Sequence, residues 1–237
     1  MLLPFPGPAR ACVACYTRAM TRTTKIGTLA IAYDDQVLEP RPWTVAQSQW
    51  AAELHLSLPD GPLLELCSGV GHIGLVAALL TGRDAVLVDA NEVACRFAEA
   101  NAETAGLRDR VEVRRGDMSS ALDPHERFPL VLADPPYIPS SDTGRFPEDP
   151  VTAIDGGADG LEVARLCLAV AARHVHPEGV VLLQLRDAEQ VDRLYDVDEP
   201  EHPALHVKEV RTVESRGALV RLAATTSATR AGFRGSC

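Results

Sequence analysis

The chain has 237 residues, 46% of them hydrophobic and 24% charged, which suits one domain with a sizeable core. Its net charge of −10 argues against a broad nucleic-acid surface, since such surfaces carry excess Lys and Arg. No apolar run nears the ~20 residues of a membrane-spanning helix, and the N-terminus lacks the basic lead and apolar stretch of a secretory signal.

Residues 1–24 are rich in Pro, Ala and Arg without periodicity and are expected to form a disordered leader, followed by one domain over 25–222 and a disordered tail over 223–237. Alternation at Leu29, Ile31 and Tyr33 predicts a strand, closed by the turn signal Asp34-Asp35. Pro40 and Pro42 then hold Arg41 in a stiff extended segment, and Thr44 or Ser48 is placed to cap a helix to about Leu58. Residues 63–67 form a short apolar strand carrying one acid, Glu65. It runs into Ser68-Gly69-Val70-Gly71-His72-Ile73-Gly74 and an apolar helix ending at Thr81-Gly82. Residues 85–89 are a second strand ending in Asp89. Asn91 caps the next helix and Gly106 closes it. A third strand at 111–113 leads to Gly116-Asp117, and a fourth spans 130–133. After a long loop, 138–157, come a helix to about Val175, a strand at 179–185, a helix near 187–195, and two strands near 204–213 and 218–222. Alternating strands and helices predict an α/β, doubly wound, mostly parallel seven-stranded sheet whose final pair is antiparallel.

The six cysteines are scattered, and Cys67, Cys95 and Cys167 fall inside predicted elements, as reduced buried thiols of a cytoplasmic protein do. Cys12 and Cys15 have no second Cys or His pair nearby, and His174 and His176 lack partners at ligand spacing, so no metal is expected. His72 reads as a surface or packing residue.

Two stretches carry the chemistry. The fourth strand stops at Asp134-Pro135-Pro136-Tyr137, where two prolines stiffen the backbone and donate no N–H. Asp134 and Pro135 therefore present acceptors beyond the carboxyl end of a strand, where ligands collect in open α/β sheets. The first strand instead enters a glycine-rich turn with dinucleotide-like spacing, Gly69-x-Gly71-x-x-Gly74. The acid Glu65 just before it suits a cationic ligand better than a pyrophosphate. S-adenosylmethionine has that character, and Asp89 is positioned to accept from its ribose hydroxyls.

Glu65-x-Cys67-x-Gly69-x-Gly71, Asp89, Asp117 and Asp134-Pro135-Pro136-Tyr137 resemble the successive motifs of class I S-adenosylmethionine-dependent methyltransferases that modify planar nitrogen. Glu39-Pro40-Arg41-Pro42-Trp43-Thr44 is similar to the Pro-Arg-Pro-Glu-Thr segment of the release-factor glutamine methyltransferases, and residues 153–161 are similar to the glycine-rich segment after their catalytic loop. The resemblance covers about residues 27–222. It implies S-adenosylmethionine as cofactor, held by Glu65, Cys67, Gly69, Gly71 and Asp89, with Asp117 near the adenine. It implies catalysis by Asp134, Pro135 and Tyr137, with Pro136 and Arg41 on the substrate side, and a protein substrate such as a translation release factor.

The chain departs from that family in three places. Cys67 stands where the first motif has glycine. Asp134 replaces the catalytic Asn, and Asp is common there among N6-adenine methyltransferases of DNA and RNA, which leaves adenine as the alternative target. Only about 25 residues precede the first strand, so no counterpart of the helical N-terminal domain of the bacterial enzymes is expected, and a separate recognition module would be lost or replaced by a partner. A noncatalytic module built on the cofactor fold is the remaining alternative.

Overall fold

The computed structural model describes residues 20–195, 205–212 and 217–224. Cys12, Cys15, Cys237 and most of the expected leader and tail lie outside them. A hairpin of β1 (Arg22–Ile26) and β2 (Leu29–Tyr33) opens the chain and forms a small sheet of its own. The main sheet contains β3 (Leu63–Leu66), β4 (Ala85–Asp89), β5 (Val111–Arg115), β6 (Phe128–Ala133), β7 (Val175–Leu185), β8 (Leu205–Thr212) and β9 (Ala218–Ala224). Their spatial order is β5-β4-β3-β6-β7-β9-β8. The pairs from β5 to β7 are parallel, and β9 runs antiparallel to both of its neighbours.

Helices cover both faces, as a mostly parallel sheet requires. The period-2 alternation of the strands divides the core accordingly. Leu63 and Leu87 face a cluster with α1 (Val45–Leu54), α2 (His72–Thr81), α3 (Glu92–Thr104) and the hairpin. Leu64, Leu66, Val86 and Val88 face a second cluster with α5 (Glu162–His174) and α6 (Ala188–Leu194). The intervening α4 (Val151–Ile154) is a single turn within the long loop. No helix among the described residues is long and apolar enough to cross a membrane.

Three local expectations change. The residues assigned to the end of the leader form β1, whose polar sequence offers only Ile26 to the core, so its pairing with β2 is not visible as alternation. Ala223 and Ala224, assigned to the tail, extend β9. Neither Thr44 nor Ser48 caps α1: Thr44 Oγ1 donates to the Arg41 carbonyl at 2.7 Å, and buried Ser48 donates to the Ile73 carbonyl at 2.8 Å. Asn91 does cap α3, accepting from the N–H groups of Val93 and Ala94.

Candidate active site

The strand order reverses between β3 and β6, and the carboxyl ends of these neighbours hold the two turns singled out in the sequence. Beyond β3 the backbone winds through left-handed conformations at Cys67 (φ 56), Gly69 (φ 53) and Gly71 (φ 81). Cys67 is the only described non-glycine residue with positive φ, a conformation costing roughly 1–2 kcal/mol in an L-residue. Its Sγ lies 3.7 Å from Cys167 Sγ on α5. The glycines have separate reasons. A Cβ on Gly69 would meet nothing within 4 Å, so that backbone faces open space. A Cβ on Gly71 would crowd Leu87 and Ala98, and one on Gly74 would collide with Leu87 and the Glu65 carboxylate. Behind the turn, buried Asn101 of α3 donates to the carbonyls of Val70 and Ala32 and accepts from the Ala32 N–H, joining turn, helix and hairpin.

The three expected cofactor acids occupy different environments. Glu65 is 1% exposed, and its Oε2 accepts from the Gly74 N–H at 2.9 Å. Burial pushes its carboxyl well above the usual range, the Gly74 bond opposes this, and the charges of Asp134 and Asp89 add to it. Glu65 therefore holds the first turn of α2 from beneath. Asp89 accepts from the N–H groups of Gly69 (2.7 Å) and Asn91 (2.8 Å), one on each oxygen, and burial raises its pKa despite these bonds. Each oxygen keeps a lone pair for a ligand donor. Asp117 is exposed, and the hydroxyl and N–H of Ser119 draw its pKa down.

At the end of β6 the carbonyls of the second turn divide into two groups. The Ala133 carbonyl accepts from Gln47 Nε2 (3.1 Å), which also donates to Leu182 at the end of β7 (2.8 Å). The Tyr137 carbonyl accepts from Gln190 Nε2 at 2.9 Å. Between them, neither the Asp134 carboxylate nor the Pro135 carbonyl has a hydrogen-bond donor among the described residues. Burial pushes the Asp134 carboxyl up to about 7. Tyr137 is half-buried; burial raises its phenol, and the charges of Asp134, Arg41 and Asp149 act on it.

The long loop is closed at its base by backbone bonds of Ile138 to Ile154 (2.9 Å) and of Gly156 to Ile138 (2.8 Å). A Cβ on Gly156 would lie 2.7 Å from the Pro136 carbonyl oxygen, and one on Gly160 would lie 2.7 Å from that of Tyr137. The glycine-rich segment is thus packed backbone to backbone against the Asp134 turn. Farther out, Arg41 Nη2 reaches both Asp149 oxygens at 2.8 and 3.0 Å, so Arg41 grips the loop. Its guanidinium also lies 5.9 Å from the Trp43 ring centroid.

A cavity of about 620 Å³ joins the two turns. Gly69, Asp89, Asp117, Asp134, Pro136 and Arg41 line it, while Glu65, Pro135 and Tyr137 do not. Its volume lies within the roughly 300–1,000 Å³ of cofactor-sized pockets. Open space at Gly69 beside spare lone pairs on Asp89 fits a ligand bearing hydroxyl donors. Gln47, Asn101 and Gln190, all buried, were not predicted as site residues. An amide on the buried stripe of its helix, beside Trp50 and Ala51, Ala98, or Val191 and Leu194, is the one signal each carries.

The family model for the methyltransferase small domain matches residues 51–146. The release factor glutamine methyltransferase of Gloeobacter violaceus is 37% identical over 163 residues, 66% of this chain and 57% of that protein. The ribosomal protein uL3 glutamine methyltransferase of Bradyrhizobium diazoefficiens is 31% identical over 205 residues, 81% of this chain and 62% of that protein. The chain thus spans little more than half the length of these curated relatives. Among solved structures, a methyltransferase from Pyrococcus furiosus superposes with a TM-score of 0.60 at 19% identity, covering 84% of this chain and 91% of that one, a likeness of fold. Residues 51–146 thus match the methyltransferase small domain, the sheet has the fold of solved methyltransferases, and the chain is similar to the release-factor and uL3 glutamine methyltransferases.

Proposed function

We propose that this chain, as a single catalytic domain acting in the cytoplasm, methylates the side-chain amide nitrogen of a protein glutamine. The observation that carries this reading is the pair of unengaged acceptors, the Asp134 carboxylate and the Pro135 carbonyl, flanked by carbonyls already occupied by Gln47 and Gln190. A primary amide brings two N–H donors in a fixed plane. Bonded to Asp134 and Pro135, its nitrogen is oriented for attack, and positive charge developing on it meets an ionised acceptor.

The family's cofactor supplies an electrophilic methyl group. Gly69, Gly71, Asp89 and Asp117 are the residues we assign to hold it, with Cys67 in the wall and Glu65 supporting the turn from below. A nitrogen that has received the methyl group would be acidic, and Asp134 is placed to accept its proton for release to solvent. Pro136 and Tyr137 are assigned to flank the amide, and the Arg41–Asp149 pair to bound the substrate side.

Labelled S-adenosylmethionine offered to purified release factor, ribosomal protein uL3 and total RNA side by side tests the reading. We expect label in protein, recovered as methylglutamine. Label confined to RNA would overturn it in favour of adenine, the target that Asp134 in place of Asn left open.

A further inference from the structure

A chain of polar contacts that the methyl-transfer chemistry does not use runs from the cofactor turn to the long loop. His72, the first residue of α2 and immediately after Gly71, places Nε2 2.9 Å from Thr44 Oγ1. Thr44 Oγ1 also lies 2.7 Å from the Arg41 carbonyl, which additionally accepts the Thr44 N–H at 3.1 Å. The Arg41 guanidinium then grips Asp149 on the loop.

Proton counting fixes the direction of this chain. A hydroxyl has one proton, and the Arg41 carbonyl can only accept, so the Thr44 proton is directed at Arg41. Thr44 Oγ1 must then accept from His72, which places the imidazole proton on Nε2. His72 Nδ1 is left bare, buried and without a partner. Protonating it would create a buried N–H with nothing to receive it, in accord with a pKa pushed down to about 4 by burial. His72 is thereby committed to one neutral tautomer, donating toward Thr44 throughout the working pH range.

Resting on the cofactor reading above, we propose that His72 and Thr44 are positioning residues: they set the Arg41–Asp149 clamp and link the glycine turn that receives the cofactor to the loop that bounds the substrate. A ligand in the cavity packs on Gly69 and on His72 itself, which lines it together with Thr44, and His72 passes that restraint through Thr44 and Arg41 to Asp149. Such coupling is reciprocal, so a bound cofactor steadies the loop by the factor by which the clamp tightens the cofactor.

The test uses trypsin cleavage after Arg145, an exposed residue of the loop, with S-adenosylhomocysteine as ligand and the intact chain as substrate. In the wild type we expect the ligand to slow cleavage about fivefold or more. Thr44→Val removes the hydroxyl at nearly constant shape and should cut faster in the free protein and lose the ligand's protection. Thr44→Ser should restore both. Asp149→Asn removes the charge and one of the two acceptors at the far end of the clamp, should reproduce the Thr44→Val rates and should add nothing to them in the double variant. By calorimetry it should weaken S-adenosylhomocysteine by the factor of protection lost. Wild-type cleavage of Thr44→Val, failure of Thr44→Ser to rescue, or additive effects in the double variant would overturn the proposal. If S-adenosylhomocysteine does not bind the wild type, the cofactor reading fails, while the ligand-free rates still decide whether the clamp depends on Thr44. Asp149→Asn decides this independently should Thr44→Val fail to fold.

Discussion

Asp134 is the residue on which chemistry and protonation meet. Burial pushes its carboxyl up to about 7, and the ionised form is both the stronger acceptor from an amide and the one able to take up its proton. The single-turnover rate should therefore rise about tenfold per pH unit below 7 and level off above it. Asp134→Asn should abolish that limb while keeping some activity, because its side-chain oxygen still accepts. A rate flat from pH 5.5 to 8 in the wild type would contradict the assignment. His72 adds no limb above pH 5, since its ring is already neutral there. Asp134→Ala should lower turnover by about 10²–10³ while leaving S-adenosylhomocysteine affinity within about threefold, because Asp134 is assigned to substrate. Matched losses of both would show that the carboxylate serves the cofactor instead. At Gly74 the expectation concerns stability. Alanine there drives a methyl into Glu65 and Leu87, and should cost about 1–3 kcal/mol in urea unfolding.

Among the elements, α1 contributes more to the site than its position ahead of β3 suggests. Gln47 is fully buried and bridges the ends of β6 and β7 through Ala133 and Leu182. Gln47→Leu removes both donors, and urea denaturation should register a loss of about 1–3 kcal/mol. The central strands β3, β4 and β6 were legible because they are almost wholly buried and bounded by turn residues; β4 spans the residues read from the sequence, and Asn91 caps α3 as expected. β7 starts at Val175, ahead of the expected 179, because its pairing with Phe128 carries the strand through Pro177 and Gly179 across a register shift. The loop acid Asp149 was visible but its partner was not. Arg41 lies 108 positions earlier, and no local pattern reports such a contact. The glycines at 156 and 160 likewise acquire their reason only when Pro136 and Tyr137 are folded against them.

Over the whole molecule, the carboxyls fall into two sets with opposite pH signatures. Glu112, Glu126 and Asp159 are held below their usual values, mainly by bonds from arginines, and their contribution is complete above about pH 5. Glu65, Asp89 and Asp134 are raised, so the folded state binds protons more tightly than the unfolded chain. That contribution is present at low pH and is lost as pH rises toward 7 and beyond. The thermal midpoint of the ligand-free protein should consequently fall between pH 5.5 and 8, at about 2–4 °C per kcal/mol, and Asp134→Asn should flatten the fall. A midpoint that climbs over this range would contradict the burial described for these acids.

The bridge from Gln47 to Ala133 and Leu182 also bears on how the molecule can be divided. A fragment beginning at residue 51 keeps the seven strands and, of the acids that line the cavity, all but Glu39. It has shed Gln47, Thr44 and Arg41, so the end of β6 loses its Gln47 brace and the loop loses its Arg41 anchor. The hairpin and the first half of α1 go with them, and with these Ile31 and Trp50 leave the core that covers one face of the sheet. The lead-in ahead of residue 51 therefore serves both halves of the molecule, closing one face of the core and bracing the Asp134 turn and the long loop.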